Sequence, residues 1–288
     1  MSFALASLPD FRGAIIVDSG VHGGNWSKRG WHVQILLTND DGIHAPGLAA
    51  MERALLKLGD VAVVAPVAEQ SGVAHTITYL RPLTGKEVFD GSRRRGWAVD
   101  GSPADCVKIG VFEYCPKRPE LVISGMNGGL NAGINVLYSG TVAAAIEGAF
   151  FGITSIAVSL EFEEQAEFER AADLALRVVR RILTLKGPQP QLYNLNIPTR
   201  AIYEPKGVKV VPMGVYRYGE KFEKRIDPRG RTYFWATNEP PPPRGEVETD
   251  VTALEQGFIT VTPLHFDLTQ RGSLNDMKGW DWGSLERD

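Results

Sequence analysis

The run Asn39-Asp40-Asp41-Gly42 sets two carboxylates side by side. Adjacent carboxylates repel unless something cationic offsets their charge. Two later clusters are rich in oxygen donors, Glu69-Gln70-Ser71-Gly72 and Ser124-Gly125-Met126-Asn127-Gly128. Carboxylate, hydroxyl and amide oxygens suit a hard divalent cation such as magnesium or manganese. Asp40, Asp41, Ser71 and Asn127 together would supply an all-oxygen site. A different group follows in Tyr138-Ser139-Gly140-Thr141, which runs straight into Val142-Ala143-Ala144-Ala145. A hydroxyl and glycine stretch opening a helix presents free N–H groups and the positive end of the dipole, a setting that suits phosphate. A cation beside such a pocket equips a protein for attack of water on phosphorus. Each motif alone has a plainer reading: the Asp pair fits a turn or cap, and Ser139 or Thr141 an ordinary helix cap. His44 and His75 lie near the first two clusters and could transfer protons, although a surface or structural role suits both.

The chemistry requires all three clusters to meet, so the elements between them decide the matter. Val33 to Thr38 is a short apolar run ending abruptly in turn formers, which reads as a buried strand. Pro46 opens a helical pattern with Leu48, Met51, Leu55 and Leu58, and Gly59 takes the stop position. Val61 to Ala65 is a second strand, and strand, helix, strand implies a right-handed parallel unit. A hairpin or excursion is expected between Pro66 and Val99, and a helix over Pro103 to Tyr114. Leu121 to Ser124 is a strand, followed by a Gly/Asn-rich loop to Gly140. A helix over Thr141 to Phe151, a strand over Ser155 to Leu160 and an amphipathic helix over Glu163 to Leu185 follow. This is the α/β class, a Rossmann-like, doubly wound, mainly parallel sheet. In such a sheet ligands bind beyond the carboxyl ends of the strands, where the three clusters fall. After Pro188 the pattern changes to strands at Leu192–Ile197 and Val208–Val211, an aromatic stretch through Trp235, a proline run and a last strand over Phe258–Thr262. That portion reads as a C-terminal extension of hairpins and arms.

Composition narrows the partners. The net charge is −3, so there is no basic field for a nucleic-acid backbone. No apolar run approaches the roughly 20 residues of a membrane helix. Cys106 and Cys115 lack the paired spacing of a zinc site and suit a reducing compartment, so a cytoplasmic protein is expected. Residues 1–31, rich in Gly and Ser, read as an N-terminal extension.

Read together, these segments resemble the SurE (survival protein E) family of nucleotidases. The matching runs are Ile35 to Gly47, Val64-Ala65-Pro66 with Gln70-Ser71-Gly72, Gly101 to Val107, Ser124 to Gly133, Tyr138 to Gly148 and Val261 to Thr269. They occur in family order from about residue 33 to 270. The resemblance implies hydrolysis of nucleoside 5'-monophosphates, and in some members of 3'-monophosphates or short polyphosphate. It places Asp40, Asp41, Ser71 and Asn127 on the metal ligands, with one magnesium or manganese ion per subunit. It places Ser139, Gly140 and Thr141 on the phosphate-contacting segment. Asp40, Asp41 and Asn127 are then the expected catalytic residues, and Asn39 joins the substrate-binding group. The resemblance further implies a homodimer or homotetramer built through the C-terminal extension. The expected organisation is an extension over 1–31, a SurE-like domain over 32–270 whose oligomerisation part begins near 188, and a tail over 271–288. Ser102 replaces a usual Thr and Gly128 a commoner Ala, and neither change removes a ligand.

Three rival readings follow from the same residues. A dinucleotide-binding oxidoreductase calls for G-x-G-x-x-G after the first strand, where Asn-Asp-Asp-Gly stands instead. A phosphatase with an aspartyl-phosphate intermediate would use Asp40 as nucleophile. A non-catalytic nucleotide sensor would keep the fold without turnover. Contacts to base and sugar are expected from the variable parts, near Tyr216 to Phe222 or Arg231 to Trp235.

Overall fold

The computed structural model describes residues 32–215, 219–239 and 247–283. The expectations for 1–31 and for the proline run Pro240 to Pro243 lie outside that range. The first strand, β1 (Val33–Thr38), has the bounds its apolar run predicts, and Leu36 and Leu37 are fully buried. The helix α1 (Pro46–Leu55) begins at its proline, whose missing N–H costs nothing at that position. It ends sooner than its pattern suggests. Gly59 is no cap but the first residue of β2 (Gly59–Pro66), paired with Val33 of β1. Leu58 stays buried in the turn between them and keeps the helical spacing alive in the sequence.

The expected excursion is a hairpin, β3 (Gly85–Asp90) against β4 (Arg93–Val99), and β4 also pairs in parallel with β2. The helix α2 (Pro103–Ile109) carries a capping box between Ser102 and Asp105, then widens into one π-helical turn at Gly110–Tyr114. Next come β5 (Leu121–Gly128), α3 (Gly140–Phe150) and β6 (Thr154–Leu160). β5 runs four residues beyond the expected Ser124 and carries Asn127 within its last turn of pairing to β6. The long helix α4 (Phe168–Leu185) starts five residues after the expected Glu163, because the polar stretch before it carries no stop signal.

After Pro188 the expected strands form, and part of this portion rejoins the main sheet while part stands apart as a hairpin. β7 (Leu192–Ile197), the short α5 (Thr199–Tyr203) and β8 (Val208–Val210) return the chain to the main sheet. Among the described strands, β9 (Gly219–Ile226) and β10 (Thr232–Glu239) stand apart, as an antiparallel hairpin. The chain then passes through α6 (Asp250–Glu255) into β11 (Ile259–Leu264), which lies between β7 and β8. A last helix, α7 (Arg271–Lys278), occupies what the sequence presents as a tail.

Among the described residues the main sheet has nine strands in the order β3-β4-β2-β1-β5-β6-β7-β11-β8. β4, β2, β1, β5, β6 and β7 run parallel. The order grows outward from β1 in one direction and from β5 in the other, which makes the β1/β5 boundary the topological switch point. Helices α1 and α4 cover one face over Leu48, Met51, Leu55, Ala175 and Val179. Helices α2 and α3 cover the other, over Val107, Val122 and Ala144. Burial of a Leu or Ile side chain contributes about 1.5–3 kcal/mol, and these two layers hold the switch point rigidly. Among the described residues no helix is long and apolar enough to cross a membrane.

Candidate active site

The turn after β1 is built to present two carboxylates. Gly42 has φ +99°, a conformation that only glycine adopts without strain. The side chain of Asn39 locks the turn: its Oδ1 accepts from the Gly42 N–H at 3.2 Å, and its Nδ2 donates to the Gly42 carbonyl at 3.1 Å. Asn39 is fully buried and spends its amide on this turn. The segment after β2 is tied to the same place, since the Gln70 N–H donates to the Asp40 carbonyl at 2.7 Å.

Asp40 lies against the start of α3. The Thr141 hydroxyl donates to its Oδ1 at 2.6 Å and the Thr141 N–H to its Oδ2 at 3.1 Å. Ser139 is the N-cap, and its Oγ accepts from the Val142 N–H at 3.1 Å. The positive end of the α3 dipole is thus directed first at Asp40. Gly140 permits that approach, because a Cβ there would lie 3.0 Å from the Asp40 Cβ and 3.1 Å from Pro103 Cγ. Behind Thr141 stands Asn131, whose Nδ2 donates to Ser159 Oγ at 2.9 Å and to Thr141 Oγ1 at 3.4 Å.

These elements frame one cleft of about 560 Å³, within the range typical of small-molecule sites. Asp40, Asp41, Glu69, Ser71, Asn127 and Ser139 all line it. Asp41 Oδ2 accepts from the Gly128 N–H at 3.3 Å, and the Asn127 Nδ2 donates to the Gly129 carbonyl at 2.6 Å. That bond leaves the Asn127 carbonyl oxygen as its acceptor for a ligand. Ser71 Oγ donates to Glu69 Oε1 at 2.7 Å. Burial raises the Asp40 carboxyl above its ordinary range against the opposing bonds from Thr141. Burial and the neighbouring charge of Asp40 push Asp41 up to about 6, and Glu69 adds to the effect on both. Clustered carboxylates destabilised in this way favour a cation. Among the described residues no three His, Cys, Asp or Glu side chains converge into a metal-holding group. The carboxylates of Asp40 and Asp41 and the neutral oxygens of Ser71 and Asn127 share one wall, and oxygen donors of these types suit a hard cation that keeps part of its water shell.

A family model described as "Survival protein SurE" matches residues 35–220. The chain belongs to the SurE family. It is 55% identical over 251 residues to the 5'-nucleotidase SurE of Rhodopirellula baltica, covering 86% of this chain and 99% of that protein. The 5'-nucleotidase SurE of Carboxydothermus hydrogenoformans is 45% identical over 254 residues, covering 86% and 96%. The crystal structure of the SurE protein from Aquifex aeolicus superposes with a TM-score of 0.74 at 40% identity, covering 85% of this chain and 98% of that one.

Within this SurE-family fold the sequence-derived site residues fall into two groups. Asp40, Asp41, Ser71, Asn127 and Ser139 meet on the cleft wall. Asn39 and Thr141 are fully buried behind it, holding the turn and Asp40 respectively. Gly140 is also buried, as the spacer that lets α3 reach Asp40. Glu69, which the sequence places in the second oxygen-donor cluster but outside the expected site residues, also lines the cleft. Sequence reasoning missed Phe162 and Phe168 on the wall, for which a sequence offers no signal. His75 pairs with Glu147 at 2.8 Å and stacks on Phe150, while His44 is exposed. Phe222 and the Arg231 to Trp235 segment belong to the separate β9–β10 hairpin and are not on the cleft wall. Tyr216 lies outside the described residues.

Proposed function

We propose that this chain is a 5'-nucleotidase, a phosphoric monoester hydrolase that splits nucleoside monophosphates into nucleoside and phosphate. The observation that carries the reading is the convergence of Asp40, Asp41, Ser71, Asn127 and Ser139 on one cleft at the switch point of the sheet. The names of the curated relatives support the same reading.

In this reading Asp40, Asp41, Ser71 and Asn127 hold one divalent cation, magnesium or manganese. When bound, such a cation supplies charge neutralisation for phosphoryl oxygens and acidity for water. The protein's own residues do the rest. Thr141 fixes the Asp40 carboxylate through both oxygens, so the ligand is aimed before substrate arrives. The Gly128 N–H orients Asp41. The Ser139 hydroxyl, at the mouth of α3, donates to a phosphoryl oxygen while the helix start favours its negative charge. Water attacks phosphorus and gives up a proton, the ester P–O bond breaks, and the nucleoside oxygen takes up a proton as it leaves, so that nucleoside and phosphate are the products. Asn39, Gly140 and Thr141 support this arrangement from behind.

The exposed aromatic residues of β9 and β10, Phe222, Phe234 and Trp235 among them, support a role for this hairpin in joining copies of the chain. A homodimer or homotetramer follows from that role, with residues 32–270 as the working domain. The free thiols Cys106 and Cys115 suit the cytoplasm.

The test is phosphate release from nucleoside monophosphates, short polyphosphate and an aryl phosphate, each with magnesium, manganese or chelator. Cation-dependent release with nucleotides as the best substrates is the expected result. A folded protein that binds nucleotide and cation without releasing phosphate would be a sensor instead.

A further inference from the structure

The cleft wall carries two kinds of chemistry. The carboxylates and Ser139 come from the turns at β1 and α3, and Leu130, Phe162 and Phe168 are large apolar side chains on the same wall. Phe168 is half-buried, with its ring against the backbone of Gly47 and Gly128, so it serves as fixed wall. Phe162 differs. It lines the cleft and yet is 70% exposed. Among the described residues no other ring stacks on it. It stands just past Leu160, the last residue of β6, and β6 is the second strand from β1. Two strand spacings set it on the order of 10 Å to the side of the carboxylates. That offset is the reach of a phosphate and a pentose ending in a base.

We infer that Phe162 is the stacking platform for the nucleobase, flanked by the wall that Phe168 forms. The inference rests on the nucleotidase reading, because it takes the phosphate to lie beside Asp40 and Ser139. An aromatic face accepts any base, since every base has a π-face, and it holds the larger purines better.

The experiment compares the parent, Phe162→Ala and Phe162→Trp on AMP and on ribose 5-phosphate, which keeps the sugar and phosphate but lacks the base. Both hydrolysis and calorimetric binding are measured. Phe162→Ala raises KM and Kd for AMP roughly tenfold with kcat nearly unchanged, while ribose 5-phosphate stays within about twofold of the parent. Phe162→Trp restores AMP. Equal losses on both compounds, or no change on either, overturn the inference. A parent that releases phosphate from neither compound overturns the nucleotidase reading instead. In that case AMP binding decides the platform separately: weaker binding by Phe162→Ala sustains it and unchanged binding sinks it.

Discussion

Thr141→Val tests how the site is organised, because it deletes one atom's function and keeps the shape. Thr141 is fully buried, and its hydroxyl donates to Asp40 Oδ1 at 2.6 Å. The valine leaves the backbone N–H bond to Oδ2 in place. Asn131 loses its long contact to Thr141 Oγ1 but keeps Ser159 Oγ at 2.9 Å. The perturbation is thus close to a single hydrogen bond to a carboxylate, worth about 1.5–3 kcal/mol. Thr141 holds the Asp40 carboxyl down against the effect of burial, so its loss raises that carboxyl further and disfavours the ionised form. The ionised form is the one that can ligate a cation, so the cost appears in cation affinity and in kcat/KM, at about ten- to hundredfold. The acid limb of the pH–rate profile moves to higher pH. The assay is phosphate release across pH, with calorimetric titration of manganese. Thr141→Ser, which keeps the hydroxyl, recovers most of the loss. A Thr141→Val enzyme with parental cation affinity and an unmoved acid limb would refute the reasoning.

Other expectations follow from the same geometry. Asp41 is pushed up to about 6, so the folded chain holds that proton more tightly than the unfolded one. Its contribution to stability is present below the ordinary carboxylate range and is lost as pH rises through about 6. Calorimetry in chelator should therefore find Asp41→Asn melting above the parent at pH 7.5, with the gap closing toward pH 4. Ser139→Ala removes the cap of α3 and should cost about 1 kcal/mol in denaturant unfolding, together with a higher KM for any phosphate substrate. Gly140→Ala puts a methyl 3.0 Å from the Asp40 Cβ, and steady-state assays should show a loss of tenfold or more with little change in Tm. Charging the hairpin through the pair Phe222→Glu and Phe234→Glu should yield monomers by light scattering.

The sequence was most legible where one physical signal acted alone. β1 could be read to the residue, because an uninterrupted apolar run meets turn formers at Asn39. The meeting of the polar clusters followed from parallel strand order, since every cluster sits at a carboxyl end. Boundaries failed where two signals overlapped. Leu58 prolongs a helical spacing that Gly59 has already left for the sheet, and the polar residues before Phe168 look helical without being so. Asn39 and Thr141 illustrate a deeper limit. Their types suit ligand contact, but each turns its polar atoms inward, to Gly42 and to Asp40, and only packing decides that direction. Phe162 gave no signal at all, because an aromatic residue becomes part of a cleft only once distant strands have met. After Pro188 the strands and a separate hairpin were legible, but not the return of β7, β11 and β8 to the main sheet, because β7 and β11 mix Asn and Thr with apolar residues and those polar side chains are buried in the sheet.

The most direct test of the central claim is phosphate release from AMP by the parent and by Asp41→Asn, prepared together and shown by circular dichroism to be equally folded. Each is assayed with manganese and with chelator. Release by the parent is expected to require the cation and to fall at least a hundredfold in the variant, as for an interaction made at the reacting centre. Equal release by the two proteins, or release indifferent to chelator, would contradict the claim and place the chemistry elsewhere than the Asp40–Asp41 cleft.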